Sequence, residues 1–271
     1  MVLAVTHPEK GGNRLSNDYK YIKFERDEHV AKIILNRPPL NVMNILMMRE
    51  INEAIEELQN DKKLKAVIFQ GEGKAFSAGV DVTDHIGEKA EEMIHVFHKI
   101  FFNMTKIKAP TIALVNGAAL GGGCELATFC DLVLASDESK FGQPEIKVGV
   151  LAPIAAVIFP WYTNFRKTME LLLTGDTLSA NEAKELGLVN AVFPAEKFEE
   201  EVNNFLEKIT SNSSVVIQLT KEAIDEAYGE NYHMAVAKVE HVYMNKLMNT
   251  HDANEGLKAF LEKRKPEWRN Q

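Results

Sequence analysis

The length, composition and charge of the chain exclude several classes of protein. Its 271 residues are 45% hydrophobic and 26% charged, an ordinary globular composition that excludes a small disulfide-stapled scaffold. A formal net charge of -8 repels a nucleic-acid backbone, so we expect no nucleic-acid partner. No apolar run approaches the roughly 20 residues that span a bilayer, and the first residues lack the apolar stretch of a secretion signal. We therefore expect a cytoplasmic protein with no membrane partner.

The first predicted elements follow a polar leader. Residues 1–18 are polar and contain Gly and Asn, so we expect a flexible leader there. Residues 21–24 and 30–35 are alternating or apolar runs separated by a charged turn, which predicts a β-hairpin. Residues 41–44 can cap a helix, because apolar side chains recur at helical spacing from Ile45 to Leu58.

Strands and helices alternate in the next part of the chain. The predicted order is a strand at 66–70, a helix near 88–104, a strand at 111–115, a helix that opens at 121–123, and a strand at 131–135. Such alternation predicts an α/β core with parallel strands joined by right-handed crossovers.

The pattern changes to helices with few strands from about residue 164. Ser179 and Glu182 match a capping box, and long amphipathic runs extend from Ala195 to the end of the chain. No Ser/Pro-rich linker separates the two parts. We therefore predict one folding unit, with a core over 19–200 and a helical C-terminal region over 201–271.

Three segments combine glycines with acidic side chains, and each adjoins a predicted strand. They are residues 73–81, 116–126 and 140–150. In the second segment, three glycines at 121–123 stand directly before a helix, where the unpaired N–H groups of the first turn can stabilise an oxyanion. A phosphate-binding loop is the rival interpretation, but Gly-Lys-Ser/Thr is missing. A glycine triplet can also serve close packing alone.

Two glutamates lie beside these glycines. Glu125 falls in the first turn of the helix that the glycines open, and Glu145 follows Gly142 and Pro144 in a constrained loop. Two carboxyl groups near one apolar pocket can have separated pKa values, so that one serves as base and the other as acid. Alternatively, Glu125 complements the helix dipole and Glu145 is a surface acid. Spacing alone does not decide between these interpretations.

Taken together, the three segments resemble the crotonase (enoyl-CoA hydratase/isomerase) superfamily. AFSAGVD at 75–81 resembles the first oxyanion block of the family, and NGAALGGGCEL at 116–126 resembles the second block with its first glutamate. FGQPEI at 141–146 resembles the block with the second glutamate. The sequences NRP at 36–38 and LN at 40–41 resemble the N-terminal signature. The resemblance in order and spacing covers roughly residues 20 to 265.

This resemblance implies an α/β spiral of ββα units with a helical C-terminal trimerisation region. It implies that the amides of Val80 and Gly122 hold a thioester oxygen, and that Glu125 and Glu145 position water and transfer its protons. The implied substrate- or CoA-binding residues are Ala78, Asp81, Gly121 and Lys263. It further implies an acyl-CoA substrate, no cofactor beyond the CoA of that substrate, and a homotrimer or a hexamer made of two trimers. The presence of both glutamates favours hydration over isomerisation or decarboxylation.

A narrower resemblance concerns the acyl group. Residues 78–85, 140–153 and 250–264 resemble the cyclohexa-1,5-diene-1-carbonyl-CoA hydratases of anaerobic benzoyl-CoA degradation. Residues 151–156 read LAPIAA where common family members carry Pro-Gly-x-Gly-Gly, so we expect a different acyl pocket. The resemblance implies hydration to 6-hydroxycyclohex-1-ene-1-carbonyl-CoA. The alternatives are a general 2-enoyl-CoA hydratase, an enoyl-CoA isomerase, and a binding-only or RNA-associated homologue.

The histidines have competing interpretations. His95 and His98 lie at i, i+3 on a predicted helix, but no carboxylate or cysteine completes a metal-ligand set, so we predict no metal site. His85 follows the first oxyanion block and, by resemblance, lies near the acyl pocket. It either shapes the substrate pocket or makes a loop hydrogen bond.

An apolar stripe and a basic cluster also have two interpretations each. The stripe at 93–104 is typical of core packing, with acyl-pocket lining as the alternative. The C-terminal basic residues are either a solvated helix face or contacts to the CoA phosphates, partly from a neighbouring subunit. They are Lys258, Lys263, Arg264 and Lys265.

Overall fold

The computed structural model describes residues 19–271, and the predicted leader over 1–18 lies outside them. The strands are β1 Ile22–Arg26, β2 Val30–Leu35, β3 Ala66–Gly71, β4 Ala75–Ser77, β5 Thr111–Val115, β6 Ala118–Leu120, β7 Leu132–Ser136, β8 Lys140–Gly142, β9 Thr177–Ser179 and β10 Ala191–Phe193. The helices are α1 Ile45–Leu58, α2 Lys89–Met104, α3 Gly122–Phe129, α4 Pro153–Tyr162, α5 Phe165–Thr174, α6 Ala180–Glu185, α7 Phe198–Thr210, α8 Ser214–Ala227, α9 Tyr232–His241 and α10 His251–Glu262.

The larger sheet forms the centre of the protein. Its order is β1-β2-β3-β5-β7-β10, with β1 antiparallel to β2 and the remaining pairs parallel. This confirms the predicted N-terminal hairpin and the predicted parallel core. The central strands are continuous apolar runs because helices cover the sheet, and Thr111–Val115 is buried along its whole length.

A second, smaller sheet accompanies the larger one. Its order is β4-β6-β8-β9, and the first three strands are parallel. Each of its parallel strands follows a strand of the larger sheet, namely β3, β5 and β7, and leads to one of the helices α2, α3 and α4. The ββα repeat implied by the resemblance is therefore present. The sequence patterns did not predict these short strands, since three residues are too few to establish a periodicity.

Helices α1 and α2 follow local sequence signals. The Asn44 side chain accepts a hydrogen bond from the Met47 N–H at 2.9 Å, which caps α1 as predicted. The apolar stripe of α2 is buried against the core, and its members are Met93, Phe97, Ile100, Phe101 and Met104. Core packing is therefore its structural role, which confirms the first of the two interpretations.

Helices dominate the chain after α4. The Ser179 side chain accepts from the Glu182 N–H, and the Glu182 carboxylate accepts from the Ser179 N–H, so the predicted capping box of α6 is confirmed. Helices α9 and α10 keep exposed apolar side chains, among them Tyr232, Phe260 and Leu261. Within residues 19–271, none of the helices is both long enough and apolar enough to cross a membrane.

Candidate active site

The smaller sheet gathers the three predicted segments at one edge. Ala75 pairs with Ala118, and Leu120 pairs with Gly142, in parallel register. Because β4, β6 and β8 run in the same direction, the loops that follow them leave the sheet on the same side. Those loops carry Val80, the start of α3, and Glu145.

The loop after β4 exposes one main-chain donor. The Met43 N–H donates to Gly79 O at 2.8 Å, and the Asp81 N–H donates to Met43 O at 2.8 Å. In such a parallel bridge the residue between the two bonds directs its own N–H to the opposite side. Accordingly, the Val80 N–H has no acceptor within the described part of the chain. Gly79 has a φ of 109°, a conformation that favours glycine.

The start of α3 supplies a second main-chain donor. Gly121 caps the helix with a φ of 52°, and its own N–H donates to Gly142 O at 2.9 Å. The Gly122 N–H, in the first turn, donates to no group of residues 19–271. A Cβ on Gly122 would lie 2.7 Å from Val80 Cγ2 and 3.0 Å from Phe97 Cζ, so a larger residue would displace its neighbours. Close packing thus places the Val80 loop against the positive end of α3.

Glu125 is a buried carboxyl group held by the next helix. Its side chain points into the protein, with the residue 1% exposed, and Oε1 accepts hydrogen bonds from the N–H groups of Ile154 at 2.8 Å and Ala155 at 2.9 Å. These donors belong to the first turn of α4, which Pro153 begins. Burial, together with the charge of Glu145, raises the pKa of Glu125 to about 8, against the opposing effect of the two N–H groups.

Glu145 lies in a short helical turn, Pro144–Val148, after β8. A Cβ on Gly121 would lie 2.7 Å from Glu145 Oε1, so the carboxyl group packs directly on the main chain at the start of α3. The amide of the buried Gln143, in its donor orientation, lies 3.3 Å from Glu145 Oε2 and 3.2 Å from Gly121 O. Burial raises the pKa of Glu145, and the charge of His85 acts in the opposite direction.

Two further predicted site residues are engaged by the protein itself. The Ala78 N–H donates to Leu40 O at 2.9 Å. The Asp81 carboxylate accepts from the Thr83 hydroxyl at 2.8 Å and from the Arg37 guanidinium at 3.0 Å. The hydrogen bonds to Thr83 and Arg37 lower the pKa of Asp81 against the effect of burial, so the carboxylate is ionised and braces the Val80 loop.

Lys263 lies apart from this group of residues. It ends α10 with a φ of 56°, its side chain is exposed, and no hydrogen bond or ion pair within residues 19–271 joins it to either glutamate. The neighbouring Arg264 pairs with Glu255 at 2.6 Å and with Glu262 at 2.7 Å. The predicted basic cluster is therefore partly neutralised by acids of its own helical region.

The structure thus brings together five of the residues predicted from the sequence. They are Val80, Gly121, Gly122, Glu125 and Glu145. The sequence analysis missed the N–H groups of Ile154 and Ala155. A signal for them existed, since Pro153 before an apolar run marks a helix start and hence a set of free N–H groups. Among residues 19–271 there is no cluster of three or more His, Cys, Asp or Glu side chains suited to a metal ion.

The fold and the site define an α/β protein in which two free main-chain N–H groups and two carboxyl groups lie together at the N-terminal end of α3. The enoyl-CoA hydratase/isomerase family profile matches residues 25–271. A probable mitochondrial enoyl-CoA hydratase of Dictyostelium discoideum is 38% identical, over 91% of this chain and 90% of its own. A probable enoyl-CoA hydratase of Mycobacterium bovis is 37% identical, over 92% of this chain and 98% of its own.

The comparison with solved structures indicates the same family. An enoyl-CoA hydratase of Mycobacterium smegmatis superposes with a TM-score of 0.87 at 30% identity, over 92% of this chain and 99% of its own. The chain belongs to the enoyl-CoA hydratase/isomerase family and has the crotonase fold. Enzymes of this family act on acyl-CoA substrates, are typically trimeric, and need no cofactor besides the CoA of the substrate.

Proposed function

We propose that the protein hydrates a conjugated acyl-CoA thioester, with Glu125 and Glu145 as the catalytic pair. The Val80 and Gly122 N–H groups donate hydrogen bonds to the thioester oxygen as it gains negative charge. Water adds its oxygen to the β carbon, and one carboxyl group takes a proton from that water. The other carboxyl group delivers a proton to the α carbon of a simple 2-enoyl thioester or, in a cyclic diene, to the far end of the diene, so that the remaining double bond shifts onto the α carbon. The net change is the addition of one water molecule, and the enzyme ends with the same number of protons.

One observation carries this proposal. Both carboxyl groups have raised pKa values, and they lie at the same helix end, with Glu145 against Gly121 and Glu125 one turn further along α3. A carboxyl group with a raised pKa, such as Glu125 with a pKa of about 8, can both give and accept a proton. The two groups titrate as a pair, so the proposal assigns the acid and base roles to the pair as a whole.

The proposed substrate is cyclohexa-1,5-diene-1-carbonyl-CoA, which would yield 6-hydroxycyclohex-1-ene-1-carbonyl-CoA in benzoyl-CoA degradation. Support comes from residues 151–156, which replace a glycine-rich family segment and include the two N–H donors to Glu125. Ile154 is thus a branched apolar residue in the turn that binds this carboxyl group, and its side chain packs against the core. An apolar wall at this position suits a flat ring.

A general 2-enoyl-CoA hydratase is the second candidate. The names of the relatives favour it, since they specify enoyl-CoA hydratases without a cyclic substrate. The two candidates are separated by assaying the purified protein with the cyclic diene and with crotonyl-CoA. A large preference for crotonyl-CoA would refute the cyclic assignment, and conversion of a 3-enoyl-CoA without hydration would indicate an isomerase.

A binding-only role makes a different prediction. An RNA-associated homologue would hydrate none of these thioesters and would retain RNA in a filter-binding assay. The retained glutamate pair and the formal net charge of -8 argue against this alternative.

The proposal extends to assembly and location. The core over 19–200 carries the glutamates, and the helical region over 201–271 packs a homotrimer or a hexamer of two trimers. Exposed apolar side chains on α9 and α10 support this assembly. In it, Lys263 approaches the CoA phosphates, partly across a subunit boundary, and Ala78, Asp81 and Gly121 line the thioester end. We place the enzyme in the cytoplasm, without a membrane or nucleic-acid partner.

A further inference from the structure

The peptide group between Gly79 and Val80 has its orientation set by one hydrogen bond. Its carbonyl oxygen, that of Gly79, accepts from the Met43 N–H at 2.8 Å. In a trans peptide the C=O and N–H bonds point in opposite directions, and Pro38–Pro39 is the only cis bond among residues 19–271. The Val80 N–H therefore points away from Met43, and it has no acceptor of its own in the described part of the chain.

The Met43 N–H belongs to a second peptide group, whose carbonyl oxygen is that of Val42. This oxygen accepts a hydrogen bond from Arg37 Nη1 at 2.7 Å. One guanidinium nitrogen thus begins a row of hydrogen bonds that passes through two peptide groups and ends at the Val80 N–H. We call this row the Arg37 relay: Arg37 Nη1 to Val42 O, Met43 N–H to Gly79 O, and then the free Val80 N–H.

The positive charge at the head of the relay strengthens the donor at its end. A cation that donates to a carbonyl oxygen draws electron density from that peptide group, so the N–H of the same group becomes a stronger donor. In condensed phases such strengthening is roughly 10–30% per bond. Arg37 Nη2 also donates to Asp81 Oδ2 at 3.0 Å, which offsets part of the charge and fixes the plane of the guanidinium.

The main chain at Arg37 is itself held in place by a buried side chain. The Arg37 N–H donates to Asn41 Oδ1 at 3.0 Å, and the Asn41 N–H donates to Arg37 O at 2.9 Å. Asn41 is fully buried, and its Nδ2 donates to Ala75 O of β4 at 2.8 Å. The guanidinium therefore starts from a fixed base on the smaller sheet.

The far side of the Val80 loop is also closed. The Asp81 N–H donates to Met43 O at 2.8 Å, and His85 Nδ1 lies 3.0 Å from Asp81 O. A carbonyl oxygen only accepts, so His85 Nδ1 is the donor, and the predicted loop hydrogen bond of His85 is present. Both flanks of Val80 are thus held, which leaves its N–H as the open end of the relay.

We propose that Arg37 is a positioning residue for the Val80 oxyanion donor, because its guanidinium fixes and polarises the two peptide groups that end at that N–H. The inference rests on the proposed function, which gives the Val80 N–H a thioester oxygen to bind. Arg37 acts through the main chain of Val42 and Gly79, and not by contact with the substrate.

Three variants separate this role from general stabilisation of the fold. Arg37→Met removes both guanidinium bonds and keeps an unbranched apolar stem. Arg37→Lys is the conservative variant, since its ammonium group can still donate to Val42 O but cannot form the two-sided contact. Arg49→Met is the matched control, because Arg49 pairs with Glu92 at 2.5 Å between the exposed faces of α1 and α2.

The direct readout is the absorption of a bound conjugated thioester. The band of 4-(dimethylamino)cinnamoyl-CoA moves to longer wavelength as its carbonyl oxygen receives stronger hydrogen bonds. We expect a red shift on binding to the parent protein and to Arg49→Met, a smaller one in Arg37→Met, and partial recovery in Arg37→Lys. Loss of folded protein would lower the amplitude of the shifted band and not its wavelength. An unchanged wavelength in Arg37→Met would overturn the proposal.

The kinetic readout tests the consequence for hydration. We expect Arg37→Met to lower kcat by about tenfold with little change in KM, because the oxyanion contact is strongest in the transition state. This loss is smaller than the roughly 10²- to 10³-fold effect of removing a whole oxyanion donor. A change confined to KM, or an equal loss of kcat in Arg49→Met, would contradict the role of Arg37.

The two readouts distinguish failure of this proposal from failure of the proposed function. A smaller red shift in Arg37→Met, in a protein that hydrates no acyl-CoA, would sustain the Arg37 relay and refute the hydratase assignment. Absence of any red shift in the parent protein, at a saturating concentration of the probe, would refute Val80 as an oxyanion donor and with it the role of Arg37.

Discussion

Glu145 Oε1 lies 2.7 Å from the point where a Cβ on Gly121 would stand, so the carboxyl group occupies the space that a side chain at residue 121 would need. The absence of a side chain at residue 121 is what allows the carboxyl group to rest on the helix end. This contact links the loop after β8 to the start of α3, and it makes the position of Glu145 depend on a glycine 24 residues earlier in the chain.

We predict that Gly121→Ala lowers kcat strongly by displacing the Glu145 carboxyl group. The new alanine would also have to adopt a φ of 52°, a strained backbone conformation that costs on the order of 1–3 kcal/mol. Gly73→Ala is the control, because Gly73 has a φ of 81° and nothing within 4 Å of its Cβ position. Steady-state kinetics and urea unfolding of both variants are the measurements. Equal losses of activity in the two would show that backbone strain, and not displacement, is responsible.

Removal of either acid should stop catalysis while the fold is kept. Glu125→Gln and Glu145→Gln each take away a group that exchanges protons, and such groups contribute roughly 10²- to 10⁴-fold to rate. A glutamine at 125 can still accept from the Ile154 and Ala155 N–H groups, so its structural contact survives. Stopped-flow or steady-state hydration assays, with the exposed Glu138→Gln as control, check this. Near-normal turnover in either variant would end the assignment of the pair.

The stability of the protein should depend on pH through Glu125. Because burial raises the pKa of Glu125 to about 8, the folded state holds its proton over a range in which the unfolded state has lost it. Its contribution to stability is therefore complete at acid pH, below the unfolded pKa, and is lost as the pH rises toward about 8. In Glu125→Gln this loss is absent, so the variant should gain stability relative to the parent as the pH rises.

Urea unfolding at about pH 5, pH 7 and pH 9 tests this prediction, at one fixed protein concentration because subunit assembly also contributes. We expect the difference in free energy of unfolding, variant minus parent, to increase across the series by a few kcal/mol. A difference that stays constant with pH would mean that Glu125 titrates in its usual range.

Lys263→Ala should weaken CoA binding in a salt-dependent way. An ammonium group near phosphates gains affinity from charge attraction, which added salt screens. We expect a lower affinity for CoA at low ionic strength and a difference that shrinks as salt is added. Isothermal titration with Lys184→Ala, an exposed lysine on α6, provides the comparison. Unchanged affinity in Lys263→Ala would remove this residue from the binding site.

Much of the larger sheet and its first helices could be predicted from the sequence. The cap at Asn44 and the apolar spacing of α1 are local signals, and the structure places the helix at Ile45–Leu58 as expected. Thr111–Val115 was predicted to the residue, because a fully buried parallel strand is a continuous apolar run between turn signals. The strands β4, β6 and β8 escaped prediction, since each has three residues and is defined by its neighbours in the sheet.

The amino-acid sequence by itself determined which chemical groups are available: glycines before a helix, two glutamates in ordered segments, and a resemblance that named their roles. Only the tertiary structure decided their surroundings. Parallel pairing of three short strands brings the loops to one edge, and the first turn of α4, 29 residues after Glu125, supplies its hydrogen-bond donors. The raised pKa values belong to this second category, because desolvation depends on everything packed around a carboxyl group and not on its neighbours in the chain.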